Sequence, residues 1–329
     1  MDSPAERLLL STWPTPVEPA PRLARAVGLR PDDLLVKRDD LTGLGGGGNK
    51  VRKLEWTVGA ALAAGADTLV TTGAPQSNHA RLTAAAAARA GLDAVLVFPG
   101  QPDQEASGNL VLDALFGAQI VWIGDVDGAG LAAAAADIAA ARPGSALIPF
   151  GGSSPTGALG YLHAGAEIRE QVPDLDTLVV ALGSGGTMAG LVATLGAAAV
   201  LGVHVGAVDD PTRTVLDLVD RLPTPDGHRG PMESAELRIR FDQVGACYAG
   251  QTDAVAEAML LAARTEGLVL DPVYTGRAMA GLIAAVGDGS IRPGTRTVFL
   301  HTGGLPGLFG HPAALSRAAA APPRIRRQP

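Results

Sequence analysis

The chain has 329 residues, 47% of them hydrophobic and 18% charged, with a formal charge of -7 in which acids and arginines are interspersed. That length allows two lobes around sizeable cores, and the lack of any basic block excludes a nucleic-acid footprint. A single cysteine, Cys247, excludes an internal disulfide framework and fits a reducing, cytoplasmic compartment, while no apolar run, Leu8-Leu9-Leu10 included, is long enough for a signal peptide or a membrane span.

From about residue 65 onward, short β-rich apolar runs alternate with longer alanine- and leucine-rich runs, the pattern of helices crossing between parallel strands. Strands are expected over 68–72, 94–98, 120–123, 146–150, 178–182, 203–208 and 297–301. Helices are expected over 54–64, 79–90, 131–141, 158–170, 188–197, 253–266 and 278–285. The fold class is therefore α/β, with open twisted, mostly parallel sheets and helices on both faces. Residues 222–236, rich in proline and glycine, read as an exposed loop, and 318–329 as a mobile tail.

Lysine occurs only at Lys37, Lys50 and Lys53, although arginine is used freely, and Lys50 ends the run Gly45-Gly46-Gly47-Gly48-Asn49-Lys50. Arginine can replace lysine as a surface cation but not as a nucleophilic amine, so Lys50 is the first candidate for chemistry. Glycine-rich turns recur just after strands, at Gly73, Gly151-Gly152, Gly183-Ser184-Gly185-Gly186-Thr187 and Gly303-Gly304. In a parallel sheet such turns can converge on one crevice. The turn Gly183 to Thr187 opens a helix, which suits a phosphate. A dinucleotide fold is a rival reading, with Asp209 and Asp210 as ribose-binding acids, but Met188 stands where that pattern needs glycine or alanine. A phosphate cradle and an isolated amine together suggest pyridoxal phosphate. The run Gln76-Ser77-Asn78-His79 is again strand, turn, helix, and its helix start suits a substrate carboxylate. Ser77 or Asn78 could equally serve as a plain helix cap.

Four motifs in order, Gly48-Asn49-Lys50-Val51-Arg52-Lys53-Leu54-Glu55, Gln76-Ser77-Asn78-His79, Asp271-Pro272-Val273-Tyr274-Thr275-Gly276-Arg277 and His301-Thr302-Gly303-Gly304, resemble the family of 1-aminocyclopropane-1-carboxylate (ACC) deaminase and D-cysteine desulfhydrase. The resemblance runs from about Trp13 to Gly310. It implies a two-lobed enzyme of fold type II, similar to the tryptophan synthase β-subunit, with residues 1–51 and 163–317 as the large cofactor-binding domain and 52–162 as the small one. It implies pyridoxal 5'-phosphate as cofactor, a small amino acid as substrate and a homodimer; no metal site is assigned. Lys50 becomes the Schiff-base lysine and proton-transfer base, with Ser77, Tyr274 and Tyr248 as the other catalytic candidates. Lys53, Gly183, Ser184, Gly185, Gly186 and Thr187 go to the phosphate and Asn78 to the phenolic oxygen. Gln76, Ser77, Asn78 and His79 form the substrate-binding run.

The deaminase branch of that family carries glutamate after the Val-Tyr pair and leucine before the late Gly-Gly, whereas this chain has Thr275 and Thr302. Both choices resemble the desulfhydrase branch. A carboxylate facing the pyridine nitrogen keeps it protonated and strengthens the electron sink; a hydroxyl does less, which suffices when sulfide leaves. The expected reaction is β-elimination from D-cysteine. Alternatives are ACC deamination to 2-oxobutyrate, a lyase for another β-substituted alanine such as L-cysteate, a cofactor-binding protein without turnover, and, more remotely, an NAD-dependent oxidoreductase.

Overall fold

Runs such as Leu178-Val179-Val180-Ala181-Leu182 have no polar alternation, so they suit strands buried on both faces. The computed structural model describes residues 7–102, 106–223, 233–246 and 249–320. In chain order the elements are β1 (Val17–Pro19), α1 (Pro21–Val27), β2 (Leu34–Lys37), α2 (Lys50–Ala63), β3 (Thr68–Thr72), α3 (Asn78–Ala90), β4 (Asp93–Phe98), α4 (Asn109–Leu115) and β5 (Gln119–Trp122). There follow α5 (Gly128–Ala140), β6 (Ser145–Leu147), α6 (Pro155–Gln171), β7 (Thr177–Leu182), α7 (Gly186–Leu195), β8 (Val200–His204), α8 (Pro211–Val219) and β9 (Arg238–Arg240). The described chain closes with α9 (Asp253–Glu266), α10 (Thr275–Gly287), β10 (Thr297–Leu300), α11 (Leu305–Phe309) and α12 (Pro312–Ala320).

Among the described residues these strands form a six-stranded sheet, ordered β1-β2-β10-β7-β8-β9, and a four-stranded sheet, ordered β5-β4-β3-β6. Every pairing is parallel except β1 with β2. Side chains alternate between layers as the pleat requires. Val179 and Ala181 of β7 point to the core shared with α1, α9 and α10, while Leu178, Val180 and Leu182 point to the core shared with α6, α7 and α8. In β4, Leu96 and Phe98 face α2 and α3, and Val95 and Val97 face α5. The α/β class with helices on both faces is therefore observed.

The chain passes between the sheets through α2 and α6, which lie against each other. Gly160 makes this possible: a Cβ there would stand 2.2 Å from the Arg52 carbonyl oxygen. Beside this crossing lies a buried charge network. Arg52 donates to both oxygens of Asp39, at 2.8 and 2.9 Å, and to Glu167 at 2.9 and 3.0 Å. Lys37 donates to Glu167, to Gln171 at 2.6 Å and to the Thr15 carbonyl at 2.8 Å. Lys37 is thus a structural cation. The boundaries expected at 51/52 and 162/163 fall inside α2 and α6, and the four-stranded sheet lies wholly between them.

Several expected elements shift. Helix α2 starts at Lys50 instead of Leu54, because the polar first turn Lys50 to Lys53 is helical although it breaks the apolar pattern. The strand expected over 146–150 stops at Leu147, where Pro149 ends the ladder and Phe150–Gly152 coil into a 3-10 turn. The strand expected over 203–208 is Val200–His204; Val205 still donates to the Leu182 carbonyl at 3.1 Å, and Gly206, at φ 77°, turns the chain away. Ala318 to Ala320, expected in the tail, complete α12, since alanine sustains a helix without an apolar stripe. Residues 321–329, most of the loop predicted over 222–236, Cys247 and Tyr248 lie outside the described residues. No described helix is long and apolar enough to cross a membrane.

Candidate active site

The C-terminal ends of β3, β7 and β10 face one cleft, which encloses about 720 Å³ of empty space, part of it open to solvent. Lys50, Ser77, Asn78, Tyr274, Thr302 and the turn from Gly183 to Gly185 all line it. The convergence of glycine turns after parallel strands is what brings residues so far apart in sequence together.

Lys50 occupies the first position of α2, and the loop before it is tightly held. Asn49 donates its backbone N–H to the Thr302 carbonyl at 2.9 Å, and its side chain donates to Thr187 at 3.0 Å. Gly47 has φ 75°, and a Cβ there would lie 2.1 Å from the Asp40 carbonyl oxygen, so the glycine run cannot carry side chains and keep this path. Arg81, buried in α3, clamps the run by donating to the carbonyls of Gly45 at 2.5 Å and Gly47 at 3.0 Å.

Both amines of α2 donate to one acceptor, the Gly151 carbonyl, at 3.0 Å from Lys50 and 3.2 Å from Lys53. Burial lowers the Lys50 pKa to about 8, partly opposed by its hydrogen bond with Lys53. Lys53 falls well below the usual lysine range through burial and then through the adjacent Lys50. His79 is likewise held well below its usual range by burial first and the two lysines second. Its Nε2 pairs with Thr71 at 2.9 Å.

The turn after β7 leads into α7 without a capping side chain of its own. Gly185 adopts φ 85°, and a Cβ on Gly186 would lie 3.0 Å from the Lys53 amine. Backbone donors, the positive helix end and a lysine thus converge in the manner of a phosphate cradle.

Ser77 lines the cleft and also caps α3, accepting from Ala80 N–H at 3.1 Å. Asn78 accepts at Oδ1 from Asn109 at 3.1 Å and Arg81 at 3.3 Å, which fixes its amide. Gln76 is not in the lining: it donates to the Ser107 carbonyl and accepts from Asn109 N–H, both at 2.9 Å, and so braces α4. Thr275, expected to face a pyridine nitrogen, is likewise not among the lining residues, though it bonds to one that is. Its hydroxyl donates to Asp271 Oδ1 at 2.6 Å and accepts from Asp271 N–H at 2.8 Å, because a threonine at a helix start satisfies nearby backbone groups first. Tyr248 lies outside the described residues.

Asp271, Ser153 and Arg81 are site residues that sequence reasoning missed. Asp271 is the one carboxylate among the described lining residues, and its oxygens accept from the N–H groups of Val273, Tyr274 and Thr275 and from the Thr275 hydroxyl. The turn Gly151-Gly152 was visible as a glycine signal, but nothing in its composition announced the two lysines it receives.

The family model described as pyridoxal-phosphate dependent enzyme matches residues 8–303. The chain belongs to this family. As a member it uses pyridoxal phosphate, and the residues present fit that group: an amine of depressed pKa, a second buried amine, and a glycine cradle that a Cβ would fill. A Pyrococcus abyssi protein named "Putative 1-aminocyclopropane-1-carboxylate deaminase" is 41% identical over 319 residues, covering 92% of this chain and 93% of the relative. A D-cysteine desulfhydrase of Salmonella schwarzengrund is 41% identical over 321 residues, covering 93% and 96%. The crystal structure of an ACC deaminase homologue superposes with a TM-score of 0.82 at 37% identity, covering 95% of this chain and 96% of that one. Threonine deaminase isoform 2 from Solanum lycopersicum shares the fold, with a TM-score of 0.64 at 19% identity and coverage of 91% and 80%. Family membership also removes the nicotinamide reading. Asp210 instead caps α8, accepting from Arg213 N–H at 2.8 Å.

Proposed function

We propose that this pyridoxal-phosphate-dependent enzyme is a lyase that eliminates sulfide from D-cysteine, giving pyruvate, ammonia and hydrogen sulfide. The observation that carries the choice is the state of Asp271. Its carboxylate is saturated by four protein donors, so no described lining residue offers a free carboxylate to hold a pyridine nitrogen protonated. Of the two threonines that distinguish the chain from the deaminase branch, Thr302 borders the cleft. A neutral polar neighbour suits loss of a good leaving group better than the opening of a carbon ring.

When bound, pyridoxal phosphate supplies an aldehyde for the amino group and a ring that delocalises the electron pair left at Cα. Lys53 and the Gly183 to Thr187 turn hold the phosphate, and Asn78 offers its Nδ2 donor to the ring oxygen. The α3 N-terminus and Ser77 bind the substrate carboxylate, with His79, kept neutral, and Gln76 supporting them from behind. Lys50 takes the Cα proton; the Cβ–S bond breaks, hydrosulfide departs, and water converts the released aminoacrylate to pyruvate and ammonia. Tyr274 positions substrate beside Gly183, and Tyr248 belongs to the same reading through the resemblance. A homodimer in the cytoplasm completes it.

The test offers the cofactor-loaded protein D-cysteine, L-cysteine, L-cysteate and ACC separately and identifies the products. Pyruvate with sulfide from the D-isomer is the expected result. If 2-oxobutyrate forms from ACC at the greater kcat/KM, the deaminase reading replaces this one. Ser77 and Tyr274 also shuttle protons in this reading, so Ser77→Ala and Tyr274→Phe are expected to lower kcat/KM by about 10²-fold each, the scale of a lost proton-handling group. Steady-state kinetics unchanged in both variants would remove these two residues from the chemistry.

A further inference from the structure

Ser153 lies just behind the cleft lining, in the turn that follows β6 of the four-stranded sheet, yet its hydroxyl reaches the cradle built by the six-stranded sheet. Three groups converge on Oγ: the Gly186 N–H at 3.1 Å, the Lys53 amine at 3.0 Å and the Ser184 hydroxyl at 2.8 Å. A hydroxyl has two acceptor sites and one hydrogen. The first two groups are donors and fill both acceptor sites, so the Ser153 hydrogen goes to Ser184.

An oxygen that accepts from a helix-start N–H and a lysine amine at once occupies surroundings suited to an anion. The approach is built in. A Cβ on Gly186 would meet Ser153 Oγ at 2.8 Å, and a Cβ on Gly151 would meet Ser184 Oγ at 2.1 Å, so both sides of this contact need glycine. The carbonyl of Gly151, two residues before Ser153, is the acceptor that Lys50 and Lys53 share.

We infer that Ser153 is a ligand of the cofactor phosphate, holding its donors in place until the phosphate arrives and then donating its own hydrogen to a phosphate oxygen. A charged oxygen outcompetes a hydroxyl for Lys53 and Gly186, because charge-assisted hydrogen bonds are about twice as strong as neutral ones. The serine hydrogen then has an anionic acceptor within reach. The phosphate thereby bridges the two sheets, joining the turn after β6 to the start of α7.

The test compares the full-length chain with Ser153→Ala, each stripped of cofactor and titrated with pyridoxal phosphate and with pyridoxal, which lacks the phosphate. Binding is read from cofactor absorbance and quenching of tryptophan fluorescence. The expected result is a dissociation constant for pyridoxal phosphate raised about tenfold to a hundredfold, the scale of one hydrogen bond to a charged group, with pyridoxal affinity unchanged. Ser153→Thr should restore most of the affinity. If Ser153→Ala does not fold, Ser153→Cys keeps the volume with a weak hydrogen-bonding group and should show the same phosphate-selective loss. Unchanged affinity for pyridoxal phosphate, or equal losses for both compounds, would overturn the assignment.

Discussion

Lys50→Ala is expected to reduce turnover by at least about 10³-fold, because one amine serves as both cofactor anchor and proton carrier, and loss of the proton carrier alone is on the order of 10²–10⁴. Arg52 and Lys53 flank it on the same helix, so removal of the Lys50 side chain leaves the phosphate cradle and the buried network standing. The variant should therefore bind pyridoxal phosphate reversibly, lose the absorbance of the lysine-linked form, and regain part of its rate when a small primary amine is added. Full activity in Lys50→Ala would end the proposed mechanism.

The depressed pKa makes this lysine usable near neutrality. At pH 7 about a tenth of an amine with pKa 8 is neutral, against about 0.03% of an ordinary lysine. The rate at which cofactor-free protein takes up pyridoxal phosphate should accordingly rise with pH and level off above about 8. A stability dependence follows from the same shift. Between pH 8 and 10.5 the unfolded chain carries a proton on this amine and the folded chain does not, so this group makes the folded state gain stability as pH rises through that window. Below pH 8 both states are protonated and the contribution is level.

How far the sequence discloses this site depends on whether a residue acts through its type or through its neighbours. Lys50 stands out because lysine is scarce, and the strands expected over 68–72 and 178–182 stand out because parallel strands are apolar on both faces. Gly183 to Thr187 is readable as a strand-to-helix turn. Asp271 and Thr275 are not separable in this way: one lies just before α10 and the other at its first position, and only the backbone path decides which one borders the cleft. The first parallel strand, β2, ends in Lys37 and is followed by Arg38, Asp39 and Asp40, a composition that reads as surface. The same holds for Arg52 and Arg81, whose burial is invisible until their partners are brought from distant segments. Charged residues that neutralise one another in the interior carry no local signal, so the network beside α2 was the least legible part of the fold.

That network supplies the largest expected effect on stability. Asp39 is fully buried, and its carboxylate accepts from Arg52 Nε at 2.8 Å, Arg52 Nη2 at 2.9 Å, Thr15 Oγ1 at 2.8 Å and the Tyr161 hydroxyl. Lys37, Arg52, Asp39 and Glu167 together sum to zero formal charge. Burial opposes ionisation of Asp39, but the Arg52 charge and its hydrogen bonds, with those of Tyr161 and the charge of Lys37, hold the carboxyl below its usual range. Asp39→Asn keeps the shape, leaves one positive charge uncompensated, and sets an amide donor against the guanidinium donors. The expected loss is about 3–5 kcal/mol, the scale for breaking a buried pair from one side. It should be read as a lower urea midpoint at pH 7 with an unchanged slope. Asp39 is a carboxylate of depressed pKa, so its contribution is fully present above the ordinary value of 3.8 and disappears as pH falls through the lowered one. The gap between wild type and variant should accordingly persist from pH 7 to about 4 and close only in stronger acid; equal midpoints at pH 7 would show that the buried charges are compensated without Asp39.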